Sequence, residues 1–301
     1  MPLLSQATIL AAPQYQEYVL PQWLDWRRQG RVCALLTLVR ATGGSPRPAG
    51  SQMAVCETGE SRGFISGGCI ERALVLDALS AIEAGRDHVE RYGEGSRFSD
   101  LRLPCGSGID IHFDVTRPTA EVEHAVAAVA RRRTAVLRFA GYERLYRPRL
   151  RLVLAGQGPI LDFAARFAAG LDMEVIAFTP DDDARDALQG AGADVRPLPA
   201  PEAFDAAFLD GDSALVVLFH DHDYEPDLLR AALATPCFYI GALGSRRAQA
   251  QRLDRLAEMG LGAEACTRIH GPVGLDIGAQ TPPEIALSAV AEVVRCYRGQ
   301  R

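Results

Sequence analysis

The chain of 301 residues contains no lysine, and all 32 of its basic side chains are arginine. A pyridoxal-phosphate Schiff base, a Walker A lysine and a Ser-Lys nucleophile pair are therefore excluded. Each needs an amine that can deprotonate or reach a phosphate as a point charge. Chemistry in this chain rests on thiols, carboxylates, histidines, arginines or the backbone. Long apolar runs are also lacking: no stretch approaches the roughly 18 apolar residues of a membrane span. The N-terminal "MPLLSQATILAAPQYQEY" has no basic n-region of the kind that opens a signal peptide. A soluble, cytoplasmic protein without membrane contact is expected. The seven cysteines, at 33, 56, 69, 105, 237, 266 and 296, contain no C-x-x-C and suggest no disulfide framework. Most read as small core hydrophobes in a reducing compartment. A formal charge of −6 argues against a nucleic-acid binder, although a local arginine cluster could grip one phosphate.

The length favours two domains, and a hydrophobic fraction of 48% is ample for their cores. An Ala-rich helix over 120–133 and a short strand "TAVLRF" are followed by the polar stretch "GYERLYRPRLR". The boundary is expected near Pro148, giving domains 1–147 and 148–301. The second half alternates strand runs ("RLVLAG", "MEVIAF", "ADVRPL", "ALVVLF", "CFYIGAL") with helical segments, which predicts a parallel sheet covered on both faces. Thr281-Pro282-Pro283-Glu284 is a capping box with proline at the first helical position, and two apolar rows follow it at helical spacing. The first half is less regular. A helix at about 15–29 carries Trp23 and Trp26, strands "VCALLTLV", "QMAVCE" and "RGFIS" follow, and a helix runs from Cys69 to about Ala84. The expected class is α/β, with a small N-terminal α+β domain followed by a C-terminal Rossmann-like parallel-sheet domain.

Several motifs carry chemistry. "GFISGGCIERAL" sets Cys69 directly after Gly67-Gly68 at the mouth of an apolar helix. The positive helix end favours thiolate, the glycines clear space for a ligand, and Glu71 is placed to cap the same turn. The plainer reading is a buried structural cysteine. Cys105 in "LPCGSGIDIHFD" repeats the pattern, and Arg47, held between Pro46 and Pro48, suits a fixed anion contact or a plain surface turn. In the second half, Gly156-Gln157-Gly158 lies where a dinucleotide fold places its pyrophosphate turn. That fingerprint is incomplete. Leu161 stands at the third glycine position, Pro159 interrupts the turn, and Thr179 stands where an acid would hold a ribose. A phosphorylated ligand is expected there, and an NAD(P)-dependent oxidoreductase is the alternative function. Gly241, Gly244, Ser245 and Arg246 in "GALGSRR", with Arg247, read as an anion site at a helix start or as a solvated arginine pair. In "HDHD" at 220–223 only His220 and His222 share a face, so a metal would need ligands from elsewhere.

Taken together, "ATGGSPRPAGSQMAV", "GFISGGCIE", "LPCGSGIDI", "LVLAGQGPI", "YIGALGSRR" and "GPVGLDIGAQTPPEIALSAVAEVV" resemble, in order and over nearly the whole chain, the XdhC/CoxI family of maturation factors for molybdenum hydroxylases. The resemblance implies an N-terminal domain joined to a Rossmann domain. It also implies a carrier, not a catalyst, that binds molybdenum cofactor (molybdopterin), supports its sulfuration by a separate cysteine desulfurase and inserts it into an apo xanthine dehydrogenase-type hydroxylase of purine catabolism. A homodimer is implied as well. Cys69, also as a molybdenum ligand, and Cys105 match the family's cysteine positions, and Arg47, Gly241, Gly244 and Arg246 match its glycine- and arginine-bearing motifs. Two departures weaken any cofactor contact there: Pro159 stands where the family has histidine after Gly-x-Gly, and Thr179-Pro180-Asp181 replaces an acid-Pro-Arg run. A third idea, a scaffold that docks a hydroxylase through the Trp23/Trp26 helix, predicts that Cys69 is dispensable.

Overall fold

A computed structural model describes residues 8–10, 18–44, 47–66, 68, 70–96, 108–139, 141–219 and 224–299. The chain divides into two compact units, Met1–Pro148 and Arg149–Arg301.

The first unit runs β1 (Thr8–Leu10), α1 (Leu20–Arg28), β2 (Cys33–Thr42), β3 (Gln52–Cys56), β4 (Ser61–Gly63), α2 (Glu71–Ala84), β5 (His88–Gly93), β6 (Gly108–Asp114), α3 (Thr119–Ala130), β7 (Ala135–Phe139) and β8 (Tyr142–Tyr146). Five strands form an antiparallel sheet in the order β4-β3-β2-β6-β5, and β1-β8-β7 form a smaller one. Period-two alternation divides the large sheet's side chains between two cores. Leu36, Leu38, Met53 and Ile111 pack with α2 on one face. Cys33, Leu35, Ala54 and Cys56 pack with α1, α3 and the β7–β8 hairpin on the other. Trp23 and Trp26 are buried in that second core, so the aromatic residues of α1 face the unit's interior and offer no docking surface.

Strand direction then positions the loops. Because β2, β4 and β5 run against β3 and β6, Thr42, Gly63 and Gly93 end their strands at the same end of the sheet at which Gln52 and Gly108 begin theirs. The loops that carry Arg47, Gly67-Gly68-Cys69 and Cys105 therefore all depart from one end.

The second unit runs β9 (Arg151–Gly156), α4 (Pro159–Gly170), β10 (Glu174–Thr179), α5 (Arg185–Gly190), β11 (Asp194–Pro197), β12 (Ser213–Leu218), α6 (Glu225–Leu233), β13 (Tyr239–Ala242), α7 (Arg246–Glu258), α8 (Ala263–Cys266), β14 (Ile269–His270) and α9 (Pro282–Gly299). Its sheet is parallel throughout, in the order β11-β10-β9-β12-β13-β14. Helices α4 and α9 cover one face and α6 and α7 the other, which is why β9 and β12 are apolar and buried along their length. Strand order reverses between β9 and β12, so a ligand crevice is expected at their carboxyl ends. The glutamate half of the α9 capping box forms as expected: one Glu284 oxygen accepts from the amides of Gln280 and Thr281 at 2.8 and 2.9 Å.

Local differences from the sequence reading have physical causes. Helix α2 begins at Glu71, two residues after Cys69, and the amides of Ile65, Ser66 and Gly68 bond to the Glu71 side chain instead of joining the helix. The polar stretch after β7 contains the strand β8, which pairs with both β1 and β7 and turns Arg144 and Tyr146 into the core.

A Cβ at Gly156 would lie 2.8 Å from the Leu218 Cβ and 2.9 Å from its carbonyl. Gly156→Ala is expected to cost about 1–3 kcal/mol through overpacking of β9 against β12. Gly170→Ala, with nothing within 4 Å, should stay within about 1 kcal/mol of wild type. Urea unfolding of both variants checks the contrast.

Candidate functional site

The N-terminal site is built around one carboxylate. Glu71 Oε1 accepts from the amides of Ile65 (3.2 Å) and Ser66 (2.7 Å), and Oε2 accepts from the Ser66 hydroxyl (2.6 Å) and the Gly68 amide (2.8 Å). The Ser66 hydroxyl in turn accepts from the Ile70 amide at 3.2 Å. Ile65 and Ile70, both buried, pin the loop at either side of this anchor. Gly68 is exposed, has φ +115° and would meet nothing within 4 Å through a Cβ, so the loop presents open backbone outward. Glu71 caps this turn as expected, and the bonds named here engage both of its oxygens in shaping the loop. Gly67 and Cys69, including Cys69 as a molybdenum ligand, lie outside the described residues, as does Cys105.

Arg47 joins this loop. Its guanidinium carbon sits 4.9 Å from the centroid of the Phe64 ring, the residue just before Ile65. Such stacking holds a cation at a defined place without neutralising it. On the other side of the same sheet end, Arg91 braces the strand that follows Cys105. It donates to Asp110 on β6 (2.9 Å), to Thr42 on β2 (2.8 Å) and to the Glu94 carbonyl beyond β5 (2.7 Å). Arg40 adds a 2.5 Å bond to Asp110. The ends of β4 and β6 are three strand spacings apart, about 14 Å. Sequence reasoning missed Arg91 and Asp110, because their meeting depends on the pairing of β5 with β6.

The remaining described cysteines are poor nucleophiles where shifts are resolved. Burial, with Cys56 beside it, pushes the Cys33 thiol up to about 12. Burial likewise raises Cys237 and Cys296.

In the second unit, Gly156 and Gly158 sit at the carboxyl end of β9, while Gly244, Ser245 and Arg246 follow β13, on the opposite side of β12. Topology thus brings both glycine turns to one edge. The segment 220–223, with His220 and His222, lies outside the described residues. The Ser245 hydroxyl caps α7 by accepting from the Ala248 amide at 3.1 Å. Arg246 and Arg247 are exposed and have no hydrogen-bond or ion-pair partner among the described residues. Behind them, buried Arg252 pairs with buried Glu225 and donates to the Leu243 carbonyl at 2.6 Å, which fixes the turn from below.

Two positions fit nucleotide binding less well. Pro159 removes an N–H from the first turn of α4. Thr179 is buried and accepts from the Asp181 amide at 3.2 Å, so it presents no carboxylate to a ribose. Gly241 serves packing: a Cβ there would lie 2.8 Å from the Tyr239 ring and from Val273. The Tyr239 hydroxyl donates to Glu292 at 2.7 Å, and Glu292 also accepts from the Gly274 amide at 2.8 Å. Glu292 was invisible to pattern reading because it lies among the apolar rows of α9.

A parallel sheet of this order, with glycine turns after its first and fifth strands, defines a Rossmann-type unit, here joined to an α+β unit built on an antiparallel five-stranded sheet. Residues 152–293 match the XdhC Rossmann domain, and residues 26–93 match the XdhC and CoxI family. The chain is 34% identical over 286 residues to the molybdenum cofactor insertion chaperone PaoD of Escherichia coli (strain K12), covering 88% of this chain and 83% of that protein. It is 26% identical to a probable xanthine dehydrogenase component of Bacillus subtilis (strain 168), over 87% of this chain and 92% of the relative. A crystal structure of a xanthine dehydrogenase from Bacillus halodurans shares the fold, with a TM-score of 0.75 at 20% identity and coverage of 94% and 96%. The chain belongs to the XdhC and CoxI family.

Replacing Glu71 with Gln removes the charge that three amides and a hydroxyl share. The local loop should lose about 1–3 kcal/mol of protection. Hydrogen exchange should quicken at Ile65, Ser66 and Gly68 while the β2, β3 and β6 amides stay protected.

Proposed function

We propose that this chain carries molybdenum cofactor as cargo and inserts it into a xanthine dehydrogenase-type hydroxylase. The observation that carries this reading is the 34% identity, along 286 residues, to a protein named as a molybdenum cofactor insertion chaperone. The geometry supports it. Molybdenum cofactor is a pterin dithiolene that ends in a phosphate or nucleotide, so its carrier needs soft sulfur and anion contacts. Loops bearing Cys69, Cys105 and Arg47 depart from one end of one sheet, and the Glu71 anchor leaves the Gly68 backbone open for close approach. Cys69 is the thiol proposed to face molybdenum, with Cys105 as a second sulfur, and Arg47 is proposed to contact an anionic group. The turn Gly244-Ser245-Arg246 is a second anion-compatible place, in the other unit.

Finer parts of the reading come from the family resemblance: a cytoplasmic homodimer, acting in purine catabolism, whose cargo is sulfurated by a separate cysteine desulfurase. The absence of lysine agrees with a separate sulfur donor, since a pyridoxal-dependent desulfurase needs its Schiff-base amine.

The test is pterin and molybdenum content per chain after anaerobic incubation with molybdenum cofactor and desalting, for wild type and Cys69→Ala. Wild type should retain both near one per chain, and the variant should lose at least half. Retention by neither protein would remove the carrier reading, and equal retention by both would remove Cys69 from it. The alternative, NAD(P)-dependent redox chemistry, is favoured by Gly156-Gln157-Gly158 at the strand-order reversal. Calorimetry with NAD and NADP should detect no binding, given Pro159 and Thr179, and micromolar binding of either would revive that alternative.

A further inference from the structure

The interior of the N-terminal unit holds a cation that stacks on the Tyr146 ring, 4.7 Å from its centroid, and has no carboxylate partner among the described residues. Arg144, on β8, is fully buried, and neither Nη1 nor Nη2 has a hydrogen-bond partner. Its Nε donates to Gln52 Oε1 at 2.9 Å. The Tyr146 hydroxyl donates to the same oxygen, also at 2.9 Å, so both lone pairs of that acceptor are taken. Gln52 Nε2 turns away and donates to the Thr37 hydroxyl at 2.9 Å.

The described polar groups around it, Gln52 and the hydroxyls of Tyr18 and Tyr146, carry no negative charge. The Tyr18 hydroxyl is buried without a partner, with its ring 6.3 Å from that of Tyr146. Burial, then Tyr146, holds that hydroxyl protonated well above neutral pH. The polar row continues across the sheet: Thr37 is paired with both Gln52 and His112 in the strand register. His112 is buried, its Nδ1 has no partner, and it lines a cavity of about 470 Å³ with Asp114 and Arg117. Asp114 is already bound to Arg117 at 2.7 Å and is not available to Arg144.

A guanidinium does not escape burial by losing its proton, because arginine stays charged in proteins. An uncompensated buried charge is among the costliest features a fold can contain. Among the described residues the positive charge and both terminal nitrogens of Arg144 are unmatched, so a species that completes the site is negative and rich in acceptors.

We propose that Arg144 is the cationic wall of an internal site in the N-terminal unit that holds one small inorganic anion, a halide or an oxyanion, completed by the Tyr18 hydroxyl. This site lies in the core between the two sheets and is separate in role from the motif loops at the sheet end. It explains why Arg, Gln and two Tyr side chains are gathered beside an otherwise apolar core.

Two measurements on the full chain test it. In crystals grown with sodium bromide, an anomalous peak is expected within about 3.5 Å of Arg144 Nη1 or Nη2. In thermal unfolding at constant ionic strength, chloride, bromide or sulfate should raise the midpoint saturably relative to gluconate, and the better of bromide and sulfate identifies halide or oxyanion. Arg144→Met should abolish the saturable response. Should that variant not fold, Tyr18→Phe, which keeps the charge, should weaken the apparent affinity about fivefold. Ordered water at both nitrogens with no bromide peak would overturn the proposal. So would a saturable response unchanged in Tyr18→Phe or Arg144→Met.

Discussion

The Glu71 carboxylate draws in the amides of Ile65, Ser66 and Gly68, and the described candidate site of the N-terminal unit depends on that convergence. A charged acceptor forms stronger bonds to backbone N–H than a neutral one. It therefore holds Ile65, Ser66 and Gly68 in a shape that their own propensities do not specify. The glycines then do what only glycine can do at an exposed apex: Gly68 takes a positive φ and leaves its outer side open. Arg47 stacked on Phe64 adds a placed positive charge beside the loop. The site combines a rigid base with a bare rim.

The same device recurs in other loops. Glu284 holds Gln280 and Thr281, and Asp87 holds the amides of Val115 and Thr116. Glu292 holds Gly274 and fixes the Tyr239 hydroxyl. In a lysine-free chain the anchors are carboxylates bound to backbone, while arginines brace strands, as Arg91 does for β2, β5 and β6. Rigid forks suit that task, since one guanidinium reaches several acceptors in fixed directions. Arg252 shows the interior version, joining Glu225 to the Leu243 carbonyl beneath the turn that carries Ser245 and Arg246.

The two units carry different candidate features. In the N-terminal unit the strand ends that flank the motif segments share one sheet end. The C-terminal unit brings two glycine turns to the strand ends of a parallel sheet. In the latter, Pro159 and Thr179 remove donor and acid at the two positions on which nicotinamide binding relies. What remains is the turn after β13, capped by Ser245 and bordered by two exposed arginines.

Much of the fold was legible in the residues. Alternating apolar runs and helical segments predicted the parallel sheet, and Thr281-Pro282-Pro283-Glu284 predicted the start of α9, because both signals are local and periodic. The quoted motifs likewise led to the family through their order. Tertiary structure decided what no local signal holds. Strand direction put the strand ends that flank the three motif segments at one sheet end. Pairing of β8 between β1 and β7 turned a polar stretch inward and buried Arg144. Long-range packing gave Glu292 and Glu225 their partners on β13 and α7. The sequence by itself determined which residues can carry chemistry and the secondary structure around them. Only the folded chain decided which carboxylates face backbone amides and which cations lie buried, because these depend on contacts between segments far apart in the chain.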